Sequence, residues 1–256
     1  MADDVLLSIS NYVATVELNR PPYNFFDVDL LTNLADTIEA LDQNGDCRAV
    51  VLASRGKAFC AGADLANRKN PPPSGKPVAA LIYEQALRLY RTEKPIIAAV
   101  QGAAIGGGFG LAVSADFRVT CPEGRFSANF TQLGFHPGFG LSVTLPRLIG
   151  AQKAALLLYT SRRIKGEEAV AMGVADSLVP QGDVLSVAQA LASEIAACAP
   201  LAVVSTRATM RQGLADEVEL ALQHELEQQT ELKKTDDFAE GVAASKERRK
   251  PSFHGR

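Results

Sequence analysis

Two stretches of this 256-residue chain place small residues directly after apolar runs. The first is Gln101-Gly-Ala-Ala-Ile-Gly-Gly-Gly-Phe-Gly-Leu111, which follows the run Pro95 to Val100 and leads into Leu111 to Ser114. Strand, glycine turn and helix start leave backbone N–H groups unpaired and pointing outward. Three consecutive glycines let another group come close to that backbone, because no Cβ intervenes. The second stretch begins with Ala49-Val-Val-Leu52. It passes through Ser54-Arg-Gly-Lys57 into Ala58-Phe-Cys-Ala-Gly-Ala-Asp-Leu65. Two such turns, each offering one N–H, can clamp a single carbonyl oxygen. That clamp suits the oxyanion formed when a thioester carbonyl becomes an enolate or a tetrahedral adduct. Losing one donor of this kind typically costs about 3–4 kcal/mol of barrier. The competing reading of the first stretch by itself is a glycine-rich packing corner.

The block Lys57 to Leu65, followed by Lys94-Pro-Ile-Ile-Ala-Ala-Val-Gln-Gly-Ala-Ala-Ile-Gly-Gly-Gly108, resembles the enoyl-CoA hydratase/isomerase (crotonase) superfamily. The ending Asp236 to Val242 and Lys246 to Phe253 is similar to that family's C-terminus. The resemblance covers nearly the whole chain. It implies an α/β fold, the crotonase (ClpP-like) spiral of repeated ββα units. Residues 1–196 would form the core with an acyl-CoA site, and residues 197–256 a helical region for oligomerisation and a lid. It also implies a trimer or a hexamer of stacked trimers. The substrate would be an acyl-CoA thioester, with coenzyme A part of the substrate, no separate cofactor and no metal. The oxyanion donors carried over are the N–H groups of Ala63 and Gly107, flanked by Gly62 and Gly106. Arg20, Lys57 and Arg248 would meet the phosphates of CoA, as cationic side chains suit them. Phe59, Gly110 and Phe130 would border the acyl group.

The acid–base residues depart from the pattern. The hydratase arrangement has a glutamate three residues after the second oxyanion glycine, where this chain has Gly110. Its second glutamate falls at Phe130, and the isomerase carboxylate eight residues on falls at Gly138. Proton transfer needs a group within hydrogen-bond reach. His136, between Phe135 and Pro137, is the replacement base or acid expected from the sequence, with a loop-shaping role as its rival. Tyr83, Glu84 and Tyr90 on the preceding helix are further candidates. Asp116 is expected to tie down a strand start, and His224 to lie on the surface. The expected activity is therefore lyase or isomerase chemistry on a CoA thioester: isomerisation, decarboxylation or hydrolysis through an enolate. The alternatives are a non-catalytic acyl-CoA-binding protein or partner subunit, and an ordinary hydratase.

The elements that would position these groups alternate along the chain. Val5 to Ser10 and Tyr12 to Asn19 read as a hairpin. Leu30, Leu31, Leu34, Ile38 and Leu41 lie on one face of a helix. Val50 and Ile96 to Val100 mark strands, and Ala79 to Arg91 a helix. The proline-rich stretch Asn67 to Lys76 would border a substrate entrance. Helices account for most of the chain after Pro200.

Composition bounds the class. A hydrophobic content of 47% with 21% charged residues fits a globular enzyme with a large core, and the net charge of −3 argues against nucleic acid or an anionic membrane as a partner. No apolar run reaches the ~18 residues of a membrane span. Met1-Ala-Asp-Asp lacks the basic start of a signal peptide. The spacing of Cys47, Cys60, Cys121 and Cys198 fits neither a zinc site nor a redox pair, so they are expected as free thiols in the cytoplasm.

Overall fold

The computed structural model describes residues 3–63 and 75–256. β1 (Val5–Ser10) and β2 (Val13–Leu18) form the expected antiparallel hairpin. β2 pairs in parallel with β3 (Ala49–Ser54), and β3 with β5 (Ile96–Val100). β5 pairs with β7 (Phe117–Thr120), and β7 with β10 (Ser177–Leu178), which completes a six-stranded sheet. A second sheet consists of β4 (Ala58–Cys60), β6 (Ala103–Ile105), β8 (Arg125–Ser127) and β9 (Ile164–Lys165). Its first three strands run parallel and β9 antiparallel.

Successive pairs, β3–β4, β5–β6 and β7–β8, each give one strand to each sheet, which is the ββα spiral. The intervening helices are α1 (Val28–Asp42), α2 (Val78–Arg91) and α3 (Gly107–Ser114). Then come α4 (Leu141–Ile149), α5 (Ala151–Thr160), α6 (Gly166–Met172) and α7 (Val184–Ala196). The chain closes with α8 (Pro200–Met210), α9 (Leu214–Leu232) and α10 (Asp236–Glu247). Among the described residues no single helix is long and apolar enough to cross a membrane.

The apolar runs of β3 and β5 lack strand alternation because both faces of the sheet are buried. Val50 and Leu52 point into the main core with Ile96, Ala98 and Val100, whereas Ala49, Val51, Ile97 and Ala99 pack on the other face. α7 covers that second face with Val184, Ala188, Ala192 and Ala196, one residue per turn. Leu214, Val218 and Leu222, beyond the boundary expected at residue 196, lie in the same core as the sheets.

Three short strands, β4, β6 and β9, are absent from the sequence reading. Two or three residues carry no period, and only pairing with distant segments makes them strands. The glycine turn also differs from expectation: helix α3 begins at Gly107 rather than at Leu111. Burial of every residue from Gly108 to Ser114 overrides the poor helix propensity of glycine. The proline-rich stretch from Asn67 falls outside the described residues as far as residue 74.

Asp116 has the structural role expected of it. It accepts from the Ile96 N–H at 2.8 Å and from Arg207 Nε and Arg211 Nη1 at 2.9 and 3.0 Å, which fastens α8 to the start of β5. Cys47, Cys60 and Cys121 are buried free thiols, and Cys198 is an exposed one.

Candidate functional site

β4 and β6 are parallel neighbours, with Ala58 beside Ala103 and Cys60 beside Ala104. Their carboxyl ends therefore finish side by side, and the two small-residue turns touch. A Cβ on Gly62 would lie 2.8 Å from the Ile105 carbonyl oxygen and 3.5 Å from the Gly107 nitrogen. A Cβ on Gly108 would lie 2.1 Å from the Cys60 carbonyl oxygen. Any side chain at either position would force the turns apart.

Ala63 is bridged to Phe26, whose N–H donates to the Gly62 carbonyl at 2.9 Å. In an extended pair, adjacent residues direct their amides to opposite sides. The Ala63 N–H thus points away from Phe26. Gly107 opens α3, so its N–H has no acceptor one turn back. Among the described residues neither N–H donates to a backbone carbonyl.

Both turns line a cavity of about 870 Å³. Gly62, Gly106 and Phe130 join Ala63 and Gly107 in its wall. The rest is mostly apolar, with aliphatic residues such as Ile82, Ile105, Leu133 and Leu226 beside a set of aromatic rings: Phe26 and Phe139 have ring centroids 5.6 Å apart, Phe130 and Phe135 5.5 Å, and Phe135 and Phe238 5.4 Å. Polar groups enter from α1, with Asp27 and Asp29, from α2 with Tyr83, and from α9 with Gln229, Thr230 and Lys233.

The remaining residues expected from the sequence lie elsewhere. Gly110 is buried inside α3, where a Cβ would lie 2.6 Å from that of Phe139. Phe59 is fully buried in the main core rather than in the cavity wall, because the alternation of β4 turns it inward. Arg20 is paired with Asp4 at 2.6 Å and Asp27 at 2.8 Å. Lys57 is exposed, its Nζ 4.9 Å from the centre of the Tyr23 ring. Arg248 is exposed at the end of α10.

His136 is not brought into the cavity. Phe135 faces inward, and the next side chain turns toward α9, where the His136 and His224 rings meet edge to face at 5.8 Å. His136 Nδ1 lies 2.8 Å from the Pro137 carbonyl, which serves the shape of the loop. The open side of Gly138, not His136, faces the cavity. A Cβ there would lie 2.1 Å from the Tyr83 hydroxyl oxygen and 2.6 Å from Gln229 Nε2.

Two residues of α9 were missed by the sequence reading, and a signal for them exists. The buried stripe of α9 runs Leu214, Val218, Leu222, Glu225, Gln229, so its apolar spacing continues into polar residues. Glu225 is fully buried and accepts from the Gly140 N–H at 2.9 Å, the Ser142 N–H at 3.2 Å and Ser142 Oγ at 2.6 Å. It stands at the amino end of α4, where an acceptor is favoured. Burial nevertheless pushes its carboxyl up to about 7, partly offset by those donors. The Tyr83 and Tyr90 hydroxyls lie near it and are themselves held above the usual phenol range, chiefly by burial.

This carboxyl sets a pH dependence. Its folded value exceeds its unfolded one, so its contribution is full below about pH 4.5 and is lost as pH rises through about 7. The shift corresponds to about 3 kcal/mol. Urea unfolding of wild type and Glu225→Gln between pH 5 and 8.5 should show the stability difference, wild type minus variant, falling by about that amount. A constant difference would remove Glu225 as the titrating group.

A family profile described as enoyl-CoA hydratase/isomerase matches residues 8–256. A short-chain-enoyl-CoA hydratase of Clostridium acetobutylicum is 33% identical over 251 residues, covering 97% of this chain and 96% of that one. A crotonyl-CoA hydratase of Syntrophomonas wolfei is 31% identical over 254 residues, with 98% of each chain covered. A crystal structure of an enoyl-CoA hydratase/isomerase from Pseudoalteromonas atlantica superposes with a TM-score of 0.88 at 28% identity, covering 98% of this chain and 100% of that one. With its spiral of paired strands and a match over almost its full length, this chain belongs to the enoyl-CoA hydratase/isomerase family.

Proposed function

We propose that the cavity binds an acyl-CoA thioester with its carbonyl oxygen between the N–H groups of Ala63 and Gly107, and that the reaction passes through the thioester enolate. The observation that carries this reading is the meeting of the β4 and β6 turns at the cavity wall, with two amides that donate to no backbone carbonyl among the described residues. Fixed donors of that kind stabilise charge as it develops on oxygen, without reorganising at the moment of reaction. The aromatic wall takes the acyl group. Arg20 and Lys57, which lie outside the cavity wall, belong to this reading as cations for the phosphates of the CoA arm, and Arg248 only through a neighbouring subunit of a trimer or hexamer. The exposed Leu201 and Met210 of α8 offer apolar surface for such an assembly.

Ordinary hydration does not fit this wall. Addition of water needs two groups that place the water and move its protons. The positions that resemble the hydratase and isomerase carboxylates are Gly110, Phe130 and Gly138. Their space is taken by Phe139, by the Phe130 ring itself and by Tyr83. The same observation favours a second reading, a protein that binds acyl-CoA without turning it over.

Incubation with crotonyl-CoA and 3-enoyl-CoA, with products followed by mass, tests the reaction. Calorimetric titration with butyryl-CoA tests binding. The expected result is butyryl-CoA binding with no hydration of crotonyl-CoA at ordinary enzyme rates, about 1–10³ s⁻¹. Hydration within that range would restore the hydratase reading, and failure to bind any CoA thioester would remove both readings.

A further inference from the structure

We propose that Phe139 sorts acyl groups by branching at the carbon next to the thioester, and that Glu225, from outside the cavity, is the positioning residue that holds Phe139 in place. The inference rests on the thioester reading above and names the acyl class taken, one unbranched at C2.

The first observation is where the Phe139 ring lies. It packs on the first turn of α3. A Cβ on Gly110 would come 2.6 Å from the Phe139 Cβ, and one on Gly107 would come 3.4 Å from Phe139 Cδ2 and 2.6 Å from Phe26 Cζ. Both rings line the cavity, tilted by 47° with centroids 5.6 Å apart. They therefore stand together over Gly107, the residue whose amide holds the thioester oxygen in this reading. An oxygen about 2.9 Å from that nitrogen brings the carbon next to the carbonyl within about 5 Å of it. Hydrogens on that carbon fit beside the two rings. A methyl group there adds volume, and packed rings accommodate it only by moving.

The second observation is how the Phe139 backbone is held. Phe139 has φ +63° and Gly140 φ +73°. That left-handed region is open to glycine and unfavourable for a bulky residue, so it persists only where the surroundings over-determine it. Side chains from two helices do so here. Tyr90 of α2 donates its hydroxyl to the Phe139 carbonyl at 3.3 Å. On α9, Glu225 accepts from the Gly140 N–H at 2.9 Å through one oxygen. Its other oxygen accepts from the Ser142 N–H at 3.2 Å and Ser142 Oγ at 2.6 Å. One turn on, Gln229 Nε2 donates to the His136 carbonyl at 2.9 Å. The chain is thus pinned before and after Phe139, and the place of the ring follows from α9.

Glu225 suits this role by its chemistry. The buried stripe of α9 is apolar through Leu214, Val218 and Leu222, and another leucine at 225 would continue it. Leucine would leave the buried Gly140 amide without its acceptor. A carboxylate offers an accepting oxygen to Gly140 and to Ser142 at once, whereas glutamine turns its NH₂ toward one of them. Glu225 is not part of the cavity wall, so it reaches the acyl group only through the loop.

The experiment is calorimetric titration with butyryl-CoA and isobutyryl-CoA, isomers that differ only in branching at C2. It is run at pH 8, above the value near 7 at which the Glu225 carboxyl ionises. The ratio of the two affinities is read on folded protein, so a loss of stability alone does not move it. Wild type should bind butyryl-CoA about tenfold tighter. Phe139→Ala should bring the ratio within about twofold and Glu225→Gln within about threefold, and the two together should match Phe139→Ala alone, because Glu225 acts through the Phe139 ring. Glu225→Asp, one methylene short of the two amides, replaces Glu225→Gln with the same expectation should that variant fold poorly. A wild-type ratio retained in the Glu225 variant, or a further change in the double variant, would overturn the positioning role. If wild type binds both isomers equally, the inference fails and the thioester reading stands. If it binds neither, that reading fails as well.

Discussion

Gly107→Pro should lower turnover of a CoA thioester by about 10²–10³ in kcat while the fold survives. Proline removes one of the two amides that meet at the cavity wall. It also occupies the first position of α3, where the missing N–H breaks no helical bond and the fixed φ suits the helix. The added side chain meets the Phe26 ring, 2.6 Å from the Cβ position. Some loss of stability will accompany the loss of rate, so thermal unfolding belongs beside the kinetics. Binding of butyryl-CoA should weaken far less than turnover falls, because the donor acts on charge that develops only along the reaction. Turnover retained within a factor of two or three would end the proposal that this amide holds the enolate oxygen.

Asp116→Ala should destabilise the protein by about 3–5 kcal/mol. Arg207 and Arg211 are both largely buried, and Asp116 is the carboxylate between them, at 2.9 and 3.0 Å. Burial already pulls the Arg207 guanidinium below its usual range, with Asp116 opposing that pull. Among the described residues Arg207 Nη2 and Arg211 Nε have no partner even with the aspartate present. Removing it leaves two buried cations facing each other and frees the Ile96 N–H at the start of β5. Urea unfolding measures the effect. A loss under about 1 kcal/mol would place the network with ordinary surface pairs.

Much of the binding frame was legible in the chain itself. Small residues after Leu52 and after Val100 announced two exposed-amide turns, and the structure brings Gly62 and Gly107 within contact. The continuous apolar runs of β3 and β5 announced strands buried on both faces. Asp27 before an apolar helical period announced the start of α1, where its side chain caps the Leu30 N–H. These features are local, because a few consecutive residues carry the whole signal.

The acid–base residues were not legible in the same way. His136 drew attention because histidine titrates near neutral pH, but a side chain's direction in a loop depends on what packs against it, and α9 supplies His224 and Gln229. Tyr83 could be named as one candidate on a helix, yet nothing near it in sequence indicates that its hydroxyl fills the gap left by a glycine 55 positions later. Glu225 and Gln229 come from still farther along the chain. The sequence alone determined the family frame, the long strands of the first sheet and the two small-residue turns, since backbone geometry follows from local residue size and spacing. Tertiary structure alone decided which side chains stand where the expected carboxylates are missing. That space is shared by α2, α9 and the loop before α4, and volume left by one element is filled from whichever other element packs against it.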